Sequence, residues 1–251
     1  MDNELEYRIV KPEPQHSDFV ERFWMLKNNS ETDKEIVVIP DGRIDVFFTY
    51  SATEAYRVVL VGIETEPTNH TFETSTVIFG VSLKLLAIEY LLQISIADLR
   101  NNLQLLPSNF WDITIEDLTD FDAFCEKVSI KIAERINPNV NERKRHLFEL
   151  IYTSNGSMTV KELSERSRWS SRQMNRYFNQ QFGISLKSFC NILRFKASFP
   201  QIKEGKLYPE LNFSDQAHFT REVKKLSGVV PKELAKNKND RFIQFSTIPK
   251  K

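Results

Sequence analysis

A chain of 251 residues with 41% hydrophobic content is long enough for two ordinary cores, and its 7 glycines and 27% charged residues exclude collagen-like, fibrous and disordered classes. Its formal net charge of zero hides a division: residues 1–139 carry 12 Lys and Arg against 24 Asp and Glu, whereas residues 140–251 carry 22 against 10. A basic half joined to an acidic one fits nucleic-acid binding, since phosphate contacts supply much of that affinity, although two unlike surfaces would also favour docking of the halves on each other.

The opening MDNELEYRIVKPEP lacks the basic and apolar regions of a secretory signal, which leads us to expect a cytoplasmic protein. Residues 35–50, EIVVIPDGRIDVFFTY, combine an apolar run, a Pro-Asp-Gly turn and an alternating run with Ile44, Val46 and Phe48 on one face, a hairpin signal. Tyr56 to Val61 and Thr76 to Leu83 add β-branched strands, with the turn-prone PTNH around residue 67 between them. The spacing predicts a small antiparallel sheet or partial barrel. The most apolar window, LKLLAIEYLLQISIA, is too short for a membrane span and is interrupted by Lys84 and Glu89, so no membrane contact is expected.

Residues 84–136 read as helical, with runs from Lys84 to Leu92 and from Phe121 to Ile136. In the second, Phe121, Phe124, Val128 and Ile132 recur at helical spacing, a stripe that fits either the core of its own domain or a dimer face. NPNVN at 137–141 breaks the pattern and divides a β-rich regulatory domain, 1–137, from a helical domain, 138–251. The fold class expected is α+β: a β-rich N-terminal domain with accessory helices, then an all-α C-terminal domain.

ERKRHLFELIYTSNG opens that second domain with a basic run placed to touch phosphate. From Thr159, TVKELSERSRWSSRQMNRYFNQQFGIS parses as helix, turn, helix. Thr159 and Glu162 make a capping box, Ser170 or Ser171 caps the next helix, Met174, Tyr177 or Phe178, and Phe182 face inward, and Gly183 ends the run. Arg172, Gln173, Asn175, Arg176 and Asn179 are left on the open side. LKSFCNILRFKAS, 186–198, is a connector with Phe189, Leu193 and Ala197 on one side.

In FSDQAHFTREVKKLSG, 213–228, Ser214 is the expected N-cap, with Asp215 in the first turn to complement the dipole. Phe219, Val223 and Leu226 form the buried stripe, and Gly228 suits a left-handed stop. Gln216, Thr220, Arg221, Lys224 and Lys225 face outward. Arg and Gln suit bidentate contacts with guanine and adenine edges, and lysines suit phosphates.

The runs 213–234, FSDQAHFTREVKKLSGVVPKEL, and 170–185, SSRQMNRYFNQQFGIS, resemble the two halves of the AraC/XylS-type DNA-binding domain, in which one polypeptide carries two helix-turn-helix units joined by a long helix. The similarity covers about residues 145–236. It implies base reading by Arg172, Asn175 and Arg176 in one unit and by Gln216, Thr220 and Arg221 in the other, with Gln173, Lys224 and Lys225 beside them. It also implies a double-stranded DNA partner, a transcription activator that meets RNA polymerase, a small-molecule effector or a homodimer governed by the β-rich domain, and no cofactor. Residues 200–211, PQIKEGKLYPEL, depart from the pattern: two prolines and a glycine stand where the supporting helix of the second unit belongs, which predicts a truncated or irregular helix there.

Catalysis finds no support in the sequence. His16, His70, His146 and His218 are scattered without zinc-ligand spacing, and there is no phosphate-binding glycine loop or nucleophile elbow. Glu13, Asp18, Asp41 and Asp45 read as surface carboxylates of an acidic domain. Cys125 and Cys190 read as buried thiols without the basic, exposed setting of a reactive cysteine. RNA binding lacks the open sheet with stacking aromatics. The alternative kept open is a protein-interaction or dimerisation module with a non-specific nucleic-acid-binding basic domain.

Overall fold

The computed structural model describes residues 5–209 and 213–246. They form two compact units that are not contiguous in sequence. One gathers the residues up to Lys34 with Arg43–Gly62 and Thr71–Asn141; the other gathers Glu35–Gly42, Ile63–His70 and the residues from Glu142 onward.

The strands are β1 (Leu5–Val10), β2 (Val20–Asn28), β3 (Lys34–Val38), β4 (Ile44–Tyr50), β5 (Arg57–Val61), β6 (Thr68–Phe72), β7 (Val77–Leu83) and β8 (Leu103–Leu106). Six of them make one antiparallel sheet in the order β1-β2-β7-β4-β5-β8, and β3 pairs with β6 in a separate two-stranded ribbon. Alternation decides which side is buried. Ile44, Val46 and Phe48 of β4 are fully buried, and Phe48 lies between Phe79 of β7 and Val58 of β5. On the opposite face the indole of Trp24 lies so close over Gly80 that a Cβ there would stand 2.3 Å from Trp24 Cε2. The indole N–H donates to Asp45 at 3.1 Å.

Two helices accompany this sheet, α1 (Leu85–Tyr90) and α2 (Phe121–Arg135). Asp120 caps α2 by accepting from the N–H groups of Asp122 and Ala123. Phe121, Phe124, Val128 and Ile132 are all buried, and Phe124 meets Phe48 and Phe79 edge-on at 5.5 and 5.3 Å. Full burial of one such ring contributes roughly 1.5–3 kcal/mol. The α2 stripe is therefore core, and the dimer-face reading of it is overturned.

The hairpin expected over 35–50 does not form. β4 has both edges taken, by β5 and β7, while β3 turns to β6. The Pro-Asp-Gly stretch is buried instead of reversing the chain in solvent, and the Ile39 N–H donates to Gln244 Oε1 at 3.0 Å. PTNH is likewise not a turn, because Thr68–Phe72 pairs as β6, exposing Asn69, His70 and Thr71 and burying Phe72. Among the described residues no helix is long and apolar enough to cross a membrane.

The second unit adds α3 (Glu142–Thr153), α4 (Val160–Ser167), α5 (Ser171–Phe182), α6 (Leu186–Ala197), α7 (Phe199–Lys203), α8 (Gln216–Ser227), α9 (Pro231–Lys236) and α10 (Ile243–Ser246). Its core is aromatic: Phe178 lies 5.2 Å from Phe182, and 5.8 Å from both Phe148 of α3 and Phe189 of α6. These contacts fix α5 against α3 and α6 together. α7 has only five residues, so the helix over this stretch is short, as its prolines and glycine predict; residues 210–212 lie outside the described residues.

Candidate nucleic-acid interface

A turn over Arg168–Ser170 joins α4 to α5, and the local sequence explains each join. Thr159 and Glu162 close the capping box of α4: the Glu162 N–H donates to Thr159 Oγ1 at 3.2 Å and the Thr159 N–H to Glu162 Oε2 at 2.7 Å. These bonds hold the Glu162 carboxyl below its ordinary pKa. Arg168 ends α4 in the left-handed conformation at φ 54°. Ser170 caps α5, Gly183 stops it at φ 70°, and Met174, Phe178 and Phe182 are fully buried beneath it. Tyr177 is half-buried, lying 5.3 Å from the Trp169 ring with Lys144 Nζ 4.5 Å from its centroid.

The outward residues of α5 divide into two kinds. Arg172 and Arg176 are exposed, one turn apart on one face, and no ion pair or hydrogen bond among the described residues engages either guanidinium. Gln173 is committed locally: its Oε1 accepts from Ser170 N at 3.2 Å and Ser170 Oγ at 2.9 Å, the second half of a capping box. Asn175 Nδ2 donates to Ser171 O at 3.0 Å, and Asn179 Nδ2 to Asn175 O at 2.8 Å. The Ser170 to Gln173 spacing is itself the signal for a capping role of this kind.

On α8 the cap is Asp215, not Ser214. Asp215 Oδ1 accepts the His218 N–H at 2.7 Å, while Ser214 bonds the His218 ring, so the helix starts one residue later than expected. Phe219, Val223 and Leu226 are buried, and Gly228 ends the helix at φ 78°. Arg221, Lys224 and Lys225 are exposed, the two lysines in the last turn where cations complement the dipole. Thr220 is half-buried, and Gln216 Nε2 donates to Leu207 O. α8 packs on α6, where Asn191 Nδ2 donates to Glu222 Oε2 at 3.2 Å and Asn191 Oδ1 accepts from Arg194, whose guanidinium lies over the Phe213 ring.

Both thiols are buried, and burial pushes Cys125 and Cys190 each up to about 12, leaving them protonated at neutral pH. In the first unit, Leu91, Leu92, Gln93, Phe110, Trp111, Glu134 and Arg135 line an open depression of about 560 Å³. Beside it Trp111 and Asp112 both take positive φ, 54° and 55°.

A family model described as a domain of unknown function (DUF6597) matches residues 8–104. No curated protein matches the chain. Solved structures of ToxT from Vibrio cholerae are similar to it. One, from strain O395, is 10% identical with a TM-score of 0.46, over 87% of this chain and 100% of that one. Another, described as unsaturated fatty acid bound wild-type ToxT, is 13% identical with a TM-score of 0.44, over 83% and 96%.

Proposed function

We propose that this chain is a cytoplasmic, sequence-specific double-stranded DNA-binding regulator of transcription, with residues 138–251 as its reading domain. The observation that carries this is the pair Arg172 and Arg176, exposed and without acidic partners on a helix fixed by its own cap and an aromatic core. Such guanidiniums suit bidentate contact with guanine O6 and N7. Asn175, and on α8 Gln216, Thr220 and Arg221, complete the base-reading set, Asn175 and Gln216 first releasing their bonds to Ser171 O and Leu207 O, while Lys224 and Lys225 meet phosphate. The connector α6 sets the spacing of the two recognition helices, which in this reading enter successive major grooves. The acidic, β-rich domain governs this activity, and RNA polymerase is the protein met at an activated promoter.

The test begins with selection of a DNA site from a random pool by the full chain. Arg176→Ala then costs about 1–3 kcal/mol on that site and relaxes the base preference at one position. Unchanged preference between selected and scrambled DNA would remove the base-reading assignment.

Regulation has two readings. A small-molecule effector is one reading, with the open depression lined by Leu91, Phe110, Trp111 and Arg135 as its candidate site. A homodimer is favoured by β8, an edge strand with Leu103 and Leu105 exposed at 50% and 62% and no charge of its own. Sedimentation across a concentration series, with Leu105→Lys as control, decides the second.

A further inference from the structure

The five-residue α7 gives α8 little helix to rest on, yet the second unit closes a circuit of contacts through residues far apart in the chain. Phe195 of α6 meets Phe199 of α7 edge-on at 4.8 Å, and Phe199 meets Phe245 of α10 at 5.8 Å. Lys203 Nζ donates to Phe245 O at 3.2 Å. Just ahead of α10, Phe242 forms a parallel bridge with Val37 of β3, and the Val37 N–H donates to Arg241 O at 2.6 Å. The Ile39 N–H then donates to Gln244 Oε1 at 3.0 Å.

The same segment returns to α6 at Gly42, whose φ of 77° and missing side chain permit the approach. A Cβ there would stand 3.0 Å from Leu193 Cδ2 and 3.2 Å from the Phe189 ring. The other half of the ribbon reaches the end of α8: a Cβ on Gly228 would stand 3.4 Å from Pro67 Cγ. α9 packs on both α7 and α8, closing the circuit.

We propose that the β3–β6 ribbon and the Phe242–Phe245 tail together take over the work of the shortened supporting helix, so that Val37, Gly42 and Pro67 are positioning residues for the second recognition helix. This goes beyond the assignment of residues 138–251 as the reading domain, since the ribbon comes from the other half of the sequence. It rests on the DNA-binding reading only for its consequence on DNA.

The experiment uses the full chain with Gln244→Ala, which removes the acceptor for Ile39, and with Val37→Pro, which removes the donor to Arg241, alongside the conservative Val37→Ile. Hydrogen exchange of the DNA-free protein is read first. Loss of this part-buried hydrogen bond should speed exchange of the Phe219–Ser227 amides roughly fivefold in Gln244→Ala, leaving α5 unchanged, and Val37→Ile should match the parent. A hydroxyl-radical footprint on the selected site should then lose protection only over the half read by α8. Unchanged exchange in α8, or equal acceleration in α5 and α8, overturns the proposal whatever DNA does. Faster exchange confined to α8, in a protein whose parent gives no sequence-specific footprint, supports the positioning role and removes the DNA-binding reading instead.

Discussion

Arg172 and Arg176 are exposed and, among the described residues, engage no ion pair or hydrogen bond, whereas Gln173, on the same helix, is spent on its own backbone. Gln173→Glu can keep both halves of the capping box, since either residue type serves at that position, and its melting temperature should stay near the parent's. Gln173→Ala should lower stability by about 1 kcal/mol, read by denaturant titration, without altering which DNA sequence is selected. In the proposed DNA-binding reading Lys224 meets phosphate, so its alanine variant should weaken all sequences alike and reduce the slope of log affinity against log salt by about one. The two cysteines test the packing. With burial holding both near 12, neither should react with a thiol reagent at pH 8 in the native chain, and both should react once denaturant exposes them.

Helix ends are the elements whose physics is local. Asp215→Ala should cost about 1 kcal/mol and Ser214→Ala much less, measured by thermal unfolding, because Asp215, and not Ser214, accepts from the α8 backbone. This locality explains what could be read from the residues. Thr159 with Glu162, Ser170 with Gly183, and the stripe Phe219, Val223 and Leu226 are all specified within a dozen residues, and each stands where the spacing places it. Strand pairing is different. Nothing in EIVVIPDGRIDVFFTY reveals that β4 will be claimed on both edges, or that β3 will turn to β6 and to a tail near the other terminus. β1, β2 and β8 escaped for a related reason: their residues earn strand geometry from neighbours across the sheet, and β1 buries no residue fully. At the candidate site the arginines were legible from helical spacing. The local commitments of Gln173 and Asn175 required the bonds themselves.

At the level of the whole molecule, an effector should raise the melting temperature of the full chain in proportion to the logarithm of its concentration, and Gln93→Ala with Arg135→Ala should blunt that response if it binds beside Trp111. The chain passes between its two units five times. That path has a consequence in time. Ile39 leaves the ribosome 205 residues before Gln244, the side chain it bonds, and at 5–20 residues per second the apolar run EIVVI waits on the order of 10–40 seconds for its partner. During that interval β6 can pair with it, but the edge that Phe242 later covers stays open and aggregation-prone, the kind of segment that chaperones bind. Nascent chains arrested near residue 200 should therefore be cut by a protease within residues 35–42, and the released full-length protein should resist cleavage there.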